Sequence, residues 1–260
     1  MSIDVRSHNR DAWNRAVRSG NRWTIPVDAA TITNARAGDW SIVLTPAKAV
    51  PRAWFGTLAG ADVLGLASGG GQQMPVLAAA GARVTSFDNS PSQLERDLEV
   101  AAREGLELRT VEGDMRDLSV FADASFDLIF HPCSNLFVPS LEAVWAECYR
   151  VLKPGGSVLS GFVQPFAFCL DEELERLGEL RLVHPAPYSD LTCRSPESLA
   201  RLMEDGEPIA FGHTLEAQIG GQIAAGLVVT GYFDDTWGDT EAIDRICPAF
   251  AATRGTKPRS

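Results

Sequence analysis

Cysteine is scarce in this sequence, and basic residues are too few to balance the acidic ones. The five cysteines are scattered without a C-x-x-C pair, so neither a disulfide framework nor a zinc site is indicated, and we predict no metal. Lys and Arg number 23 against 34 Asp and Glu, which gives a net charge of −11. This excess of negative charge disfavours DNA, RNA and anionic membranes as partners.

Long hydrophobic runs are also missing. The N-terminus lacks the apolar stretch that is typical of a secretory signal. No segment approaches the roughly 20 apolar residues that are needed to span a bilayer. Hydrophobic residues nevertheless make up 45% of the 260 residues, which is ordinary for a globular protein. We therefore expect a reduced, cytoplasmic protein that forms one domain.

From residue 61 onward, short apolar runs alternate with helical patterns. Strands are predicted at 63–67, 83–87, 106–111, 126–130 and 157–163, and helices at 72–80, 91–104 and 141–151. In the second helix, Leu94, Leu98, Ala101 and Ala102 are predicted to form the apolar face. Strands that alternate with helices at this spacing indicate an α/β fold with an open, mostly parallel sheet and helices on both faces.

The remaining segments fall outside this regular pattern. Residues 1–60 hold four of the six tryptophans, Trp13, Trp23, Trp40 and Trp54, and are predicted to form an N-terminal cap on the 61–164 core. Residues 165–213 are predicted to be an irregular insertion on the substrate side, after the fifth strand. Residues 214–260 are predicted to add a weak helix at 214–226 and the last strands, at 227–233 and 249–253.

A glycine-rich turn follows the first predicted strand. Free backbone N–H groups at such a turn suit an anionic or carboxylate-bearing ligand. Asp88 ends the second strand, 19 residues after Gly69, where a carboxylate can accept two hydrogen bonds from a ribose diol. Met74 occupies the third-glycine position of a dinucleotide fingerprint, and no P-loop is present. The pattern predicts a nucleoside-containing cofactor.

Five segments narrow this prediction. The order VLGLASGGG, SFDNSPSQL, VEGDM, FDLIF and RVLKPGG resembles the successive motifs of class I S-adenosyl-L-methionine (SAM)-dependent methyltransferases, of the type 11 kind, over residues 61–164. The resemblance implies a Rossmann-like fold and an enzyme that transfers a methyl group from SAM to O, N or C of a small-molecule acceptor. S-adenosyl-L-homocysteine (SAH) would be the second product.

The resemblance also implies roles for individual residues. The turn would lie against the methionine half of SAM. Asp88 would bind the ribose hydroxyls, with Asn89 beside it, and Asp114 would accept a hydrogen bond from the adenine amino group. The implied cofactor-binding residues are Ala67, Ser68, Gly69, Gly71, Asp88, Asn89, Asp114, Met115 and His131. His131 is also the candidate general base, because an imidazole titrates near neutral pH. Trp23, Trp54 and Asn135 are the candidate acceptor contacts.

The sequence departs from the family pattern at the end of the first strand. Gly65 stands where the family carries an acid, and Ala67 replaces the first glycine of the turn. Two alternatives therefore stay open. One is an NAD(P)-dependent oxidoreductase, which shares the sheet and the ribose-binding acid. The other is a non-catalytic module that binds SAM or SAH.

Overall fold

A computed structural model describes residues 3–259 of the chain. The helices are α1 (Val5–Ser19), α2 (Ala29–Arg36), α3 (Gln73–Ala79), α4 (Pro91–Glu104), α5 (Glu142–Val151), α6 (Glu172–Arg176), α7 (Asp190–Cys193), α8 (Pro196–Asp205) and α9 (Gly221–Ala224). The strands are β1 (Asp62–Leu66), β2 (Arg83–Asp88), β3 (Leu108–Glu112), β4 (Phe126–His131), β5 (Leu152–Val163), β6 (Tyr188–Ser189), β7 (Phe211–Gly212), β8 (Val228–Asp235) and β9 (Phe250–Thr256).

Seven strands form one mostly parallel sheet in the order β3-β2-β1-β4-β5-β9-β8. Strands β1 to β5 run parallel, and β9 runs antiparallel to both β5 and β8. The chain order reverses at β1, which lies between β2 and β4. Loops diverge at such a switch point, and ligands of open α/β sheets bind in the crevice that this leaves at the carboxyl ends of the strands.

Alternating side chains of the strands build a core on each face of the sheet. Val63 and Leu128 pack with α2, α3 and α4 on one face, whereas Leu64 and Ile129 pack with α5 and the fully buried Trp145 on the other. Burying an aliphatic side chain of this size contributes about 1.5–3 kcal/mol. The predicted Rossmann-like α/β fold with helices on both faces is confirmed.

Local signals in the sequence place the ends of the helices correctly. The Ser90 hydroxyl accepts from Gln93 N at the start of α4, Pro91 occupies its first turn, and Gly105 ends the helix at φ 63°. The buried face of α4 differs from the prediction, however. Leu98 is 43% exposed and Ala102 is exposed as well, and the buried face instead includes Asp97 and Val100.

Three other predictions need correction. The fifth strand begins at Leu152 rather than Ser157, because Leu152 already pairs with Phe126. Residues 165–213 are more regular than predicted, with α6, α7, α8 and a two-stranded sheet of β6 and β7. The 214–226 helix is split into a π-helical turn, Glu216–Gly220, and the short α9. No helix within residues 3–259 is long and apolar enough to cross a membrane.

Candidate active site

A cavity of about 500 Å³ lies along the carboxyl edge of the sheet. Its walls come from the segments that follow β1, β2, β3 and β4, and from the ends of β5 and β9. Because β3 and β9 lie on opposite sides of β1 in the sheet, the cavity has two ends. We name the end near β1, β2 and β3 the nucleoside end, because the predicted ribose and adenine contacts Asp88 and Asp114 lie there, and we name the end near β4, β5 and β9 the acceptor end, after the predicted acceptor contact Trp23.

The turn after β1 is held in a strained shape at the centre of the cavity. Ala67 has φ 50°, a left-handed conformation that costs an alanine free energy and that clusters at functional sites. Its N–H donates to Phe87 O at 2.7 Å, and its carbonyl accepts from the Ser134 hydroxyl at 2.7 Å. The turn is thus fixed from β2 and from the loop after β4, with Ala67, Ser68 and Gly69 lining the cavity.

Gly71 performs a different task from the one predicted. Its N–H donates to Asp97 Oδ1 at 2.8 Å, while Asp97 Oδ2 accepts from the Ser86 hydroxyl at 2.6 Å. An added Cβ would lie 2.9 Å from Pro26 Cβ, so Gly71 contacts the N-terminal segment rather than lining the cavity. Asp97 is fully buried, and its burial raises its pKa to about 7. We correct the role of Gly71 to packing between the turn and residues 22–27.

Asp88 presents a carboxylate at the nucleoside end. Its Oδ2 accepts from Gly69 N at 3.1 Å, and its Oδ1 accepts from Ser90 N at 2.9 Å. Each carboxylate oxygen has a second lone pair, so both can accept a further hydrogen bond from a diol. Burial raises the pKa of Asp88 to about 6, against the opposing hydrogen bonds of Ser90 and Gly69. The carboxylate is therefore ionised at neutral pH.

Two arginines surround Asp114 beside Asp88. Arg116 makes a fork on Asp114, with Nε 3.0 Å from Oδ1 and Nη2 2.6 Å from Oδ2. Arg6 Nε lies 3.9 Å from Asp114 and donates to Asn89 Oδ1 at 3.2 Å. Burial alone would raise the pKa of Asp114, but the Arg116 hydrogen bonds outweigh it and hold that pKa below its ordinary value. No sequence motif marks Arg6 or Arg116 as part of this site.

His131 lies beneath the cavity rather than in its wall. The side chain is fully buried, with Nδ1 2.8 Å from Leu66 O and Nε2 2.7 Å from the Asn135 side-chain oxygen. Burial lowers the pKa of His131. With both ring nitrogens occupied and no face on the cavity, the structure does not support His131 as a general base or a cofactor contact. Its contact with Leu66 O instead braces the end of β1.

Of the three candidate acceptor contacts, Trp23 lines the cavity and the other two do not. The Asn135 side chain is 1% exposed and is occupied by His131 and by Gln218 Oε1, 2.7 Å away. The Trp54 ring packs 5.3 Å from that of Phe233, near the amino ends of β1 and β5. Asn135 and Trp54 are therefore corrected to structural positions.

The acceptor end is apolar and aromatic. The Arg22 guanidinium carbon lies 4.2 Å from the centroid of the Trp23 ring and 5.5 Å from that of the Trp237 ring. These cation–π contacts link the N-terminal segment to the loop after β8. The wall of this end consists of Val43, Leu44, Thr45, Pro46, Pro132, Cys133, Val163, Trp237 and Phe250, together with Trp23. Most of these residues come from loops whose contacts no local pattern predicts.

Helix α1 forms part of the cavity wall through Val5, Arg6, Asn9 and Trp13, whereas no residue of the 165–213 insertion lines the cavity. Asn9 is buried, and its Nδ2 donates to Phe137 O at 3.1 Å and to Ile209 O at 3.0 Å. Ile209 N donates back to Asn9 Oδ1 at 2.8 Å. The Trp13 ring meets the Phe137 ring edge-on at 5.3 Å. One asparagine thus ties the cap to the loop after β4 and to the segment before β7.

Replacing His131 with alanine should lower the free energy of unfolding by about 3 kcal/mol, because it leaves a void and removes the partners of Leu66 O and Asn135. Urea denaturation measures this change. His184→Ala, on the partly exposed insertion, serves as the control and should change stability by about 1 kcal/mol or less. Equal stability of the His131→Ala and wild-type proteins would contradict the bracing role.

Within residues 3–259, no group of three or more His, Cys, Asp or Glu side chains is placed to hold a metal ion. The site consists of a carboxylate-lined nucleoside end and an apolar acceptor end that meet at a strained turn.

Comparison with known proteins identifies the family. A methyltransferase domain model matches residues 64–160. The uncharacterized methyltransferase YbaJ of Bacillus subtilis is 49% identical over 251 residues, which cover 96% of this chain and 98% of that protein. A sterol 24-C-methyltransferase of Neurospora crassa is 38% identical over 90 residues, which are 34% of this chain and 24% of that enzyme.

Solved structures show the same fold. A SAM-dependent methyltransferase from Mesorhizobium loti superposes with a TM-score of 0.60 at 16% identity, over 79% of this chain and 94% of that one. The 1,6-didemethyltoxoflavin-N1-methyltransferase of Burkholderia thailandensis, with bound 1,6-didemethyltoxoflavin and SAH, superposes with a TM-score of 0.59 at 16% identity. The match covers 97% of this chain and 88% of that one. The near full-length match to YbaJ shows that this chain belongs to the class I SAM-dependent methyltransferases.

Proposed function

We propose that this methyltransferase holds SAM with its nucleoside at Asp88 and Asp114 and methylates an apolar small molecule held at the acceptor end. The observation that carries the proposal is the single cavity that joins these two ends across the Ala67 turn. The nicotinamide alternative receives no support from the family assignment.

The nucleoside end fits the cofactor. Asp88 has lone pairs free for the ribose hydroxyls, and Asn89 and Met115 line the cavity beside it. Asp114 already accepts from N, Nε and Nη2 of Arg116, which leaves one of a carboxylate's roughly four lone-pair sites for an amino group. When bound, SAM supplies an electrophilic methyl group on a sulfonium.

The acceptor end indicates what kind of molecule is methylated. Among the described residues that line it, none is an Asp, Glu, His or Lys. Burial raises the pKa of the Cys133 thiol, so Cys133 stays neutral. Because this wall contains no general base, the acceptor atom must be nucleophilic without being deprotonated by these side chains. The enzyme then contributes alignment and exclusion of water.

A thermal-shift titration with SAM, SAH and NAD, followed by a methyl-transfer assay, tests the proposal. A ligand at about 100 times its Kd adds roughly 2.7 kcal/mol to the folded state, so SAM and SAH should raise the unfolding midpoint and NAD should not. SAH release is then measured with apolar phenols, amines and alkenes, each beside a charged analogue. Stabilisation by SAM with turnover only of charged acceptors would contradict the apolar-acceptor proposal. Binding without any turnover would favour the non-catalytic alternative.

A further inference from the structure

One hydroxyl interrupts the apolar wall of the acceptor end. Among the wall residues named above, Thr45 alone has a side-chain hydroxyl, and it is 3% exposed. Within residues 3–259, its Oγ1 is buried and makes no hydrogen bond of ordinary geometry. A buried hydroxyl without a partner costs stability, and native proteins keep few of them. An unpaired hydroxyl on a residue that lines a ligand cavity therefore points to a ligand atom as its partner.

The backbone beside Thr45 is fixed against the sheet. Leu44 O accepts from Cys133 N at 3.3 Å, in the loop after β4. On the other side, an ideal Cβ on Gly161 of β5 would overlap Leu44 O. Only a glycine at that point of β5 leaves room for the segment that carries Thr45. This residue therefore has a defined position at the ends of β4 and β5.

A carboxylate behind Thr45 orients the hydroxyl. Asp235, at the end of β8, is buried outside the cavity wall, and its Oδ2 accepts from Ala47 N at 2.9 Å and from Lys48 N at 2.8 Å. Burial alone would raise the pKa of Asp235, but the Thr45 hydroxyl and these backbone N–H groups hold that pKa below its ordinary value. The Thr45 proton is thus attracted towards an ionised carboxylate, although the contact does not reach hydrogen-bond geometry. The lone pairs of Oγ1 are left for another partner.

We propose that Thr45 Oγ1 accepts a hydrogen bond from the methyl acceptor, so that the acceptor is an apolar molecule with an O–H or N–H group. The inference rests on the proposed function above and narrows the class of molecule held at the acceptor end. One fixed oxygen in an apolar wall orients such a molecule, and the rest of the wall excludes water from it. Alkenes and other hydrocarbons lack the group that this oxygen binds.

Three variants isolate the hydroxyl. Thr45→Val replaces it with a methyl group of similar size, and Thr45→Ser keeps it. Ser160→Ala is the matched control, because Ser160, on β5, is also fully buried, has an Oγ without a hydrogen-bond partner in the described chain, and does not line the cavity. Neither Thr45→Val nor Ser160→Ala breaks a hydrogen bond of the free protein, so both should fold with about wild-type stability.

The experiment is an NMR titration of each protein, in excess SAH, with phenol and with toluene. The two probes are similar in size, and only phenol carries a hydrogen-bond donor. In Thr45→Val, the ratio of phenol affinity to toluene affinity should fall about threefold to tenfold, the effect of losing one neutral hydrogen bond. Toluene affinity should be unchanged. Thr45→Ser and Ser160→Ala should keep the wild-type ratio.

The outcomes separate this inference from the proposed function. An equal affinity ratio in wild type and Thr45→Val overturns the inference and leaves the proposed function in place. Equal losses for both probes also overturn it, because the wall itself would then be altered. A reduced ratio in Ser160→Ala would show a general effect of buried hydroxyls and would likewise overturn it. If neither probe binds wild type, the apolar acceptor end of the proposed function fails, and the inference fails with it.

Discussion

Replacing Asp88 with alanine should weaken SAH binding about 100-fold or more. The change removes a carboxylate that can accept from both ribose hydroxyls, and each hydrogen bond to a charged group contributes about 1.5–3 kcal/mol. It also frees Gly69 N and Ser90 N, which Asp88 holds in the described structure. Calorimetry with SAH measures the loss.

Two further variants make the Asp88 result specific. Asp88→Asn keeps the size of the side chain and one acceptor oxygen, so its SAH affinity should fall between those of wild type and Asp88→Ala. Glu112 pairs with Asp88 in the sheet register, is exposed and lies outside the cavity wall. Glu112→Ala should bind SAH as wild type does. Wild-type affinity in Asp88→Ala would refute the ribose assignment.

The same carboxylate predicts a pH dependence of binding. Burial raises the pKa of Asp88 to about 6, and a protonated carboxyl loses acceptor capacity. SAH affinity of the wild type should therefore fall as the pH drops through about 6, whereas Asp88→Asn should show no such decline. A pH-independent wild-type affinity would contradict the assignment in a second way.

The second large effect is expected at Asp97, on stability rather than on binding. Its pKa is raised from 3.8 to about 7 by burial, so the folded state keeps a proton that the unfolded state has already lost. Between these two values the folded state binds more protons, and its stability therefore falls as the pH rises. Asp97→Asn removes this titration and keeps an acceptor for Gly71 N, while its amide N–H would donate to the Ser86 hydroxyl oxygen where Asp97 Oδ2 accepts from that hydroxyl.

Urea denaturation at about pH 5 and about pH 8 measures the Asp97 effect. Over this interval, wild type should lose on the order of 2 kcal/mol more stability than Asp97→Asn. The exposed Asp39 supplies a control, since Asp39→Asn should retain the wild-type slope. If Asp97→Asn kept the wild-type dependence, the buried carboxylate would not be the titrating group.

The fold could be predicted from the sequence because the signals for strands, helices and helix ends are local. The order of strands and helices from 61 to 164 follows from apolar periodicity and from caps such as Ser90 and Gly105. The family resemblance assigned Asp88 and Asp114 to one site, and both line the cavity at the carboxyl edge of the sheet. The predicted apolar face of α4 was partly wrong. Asp97 is buried on the same side as Leu94 and Ala101, and the position of this charged residue in an apolar stripe could have indicated its burial.

The sequence by itself determined the fold and the family, because strand and helix periodicity and the glycine turn are written in consecutive residues. Only the tertiary structure decided which distant residues the polar side chains contact. It paired Arg116 with Asp114, buried His131 against Leu66 and Asn135, and brought Trp23 and Trp237 together around Arg22. Such contacts join residues far apart in the chain, and their geometry depends on packing that no local pattern encodes.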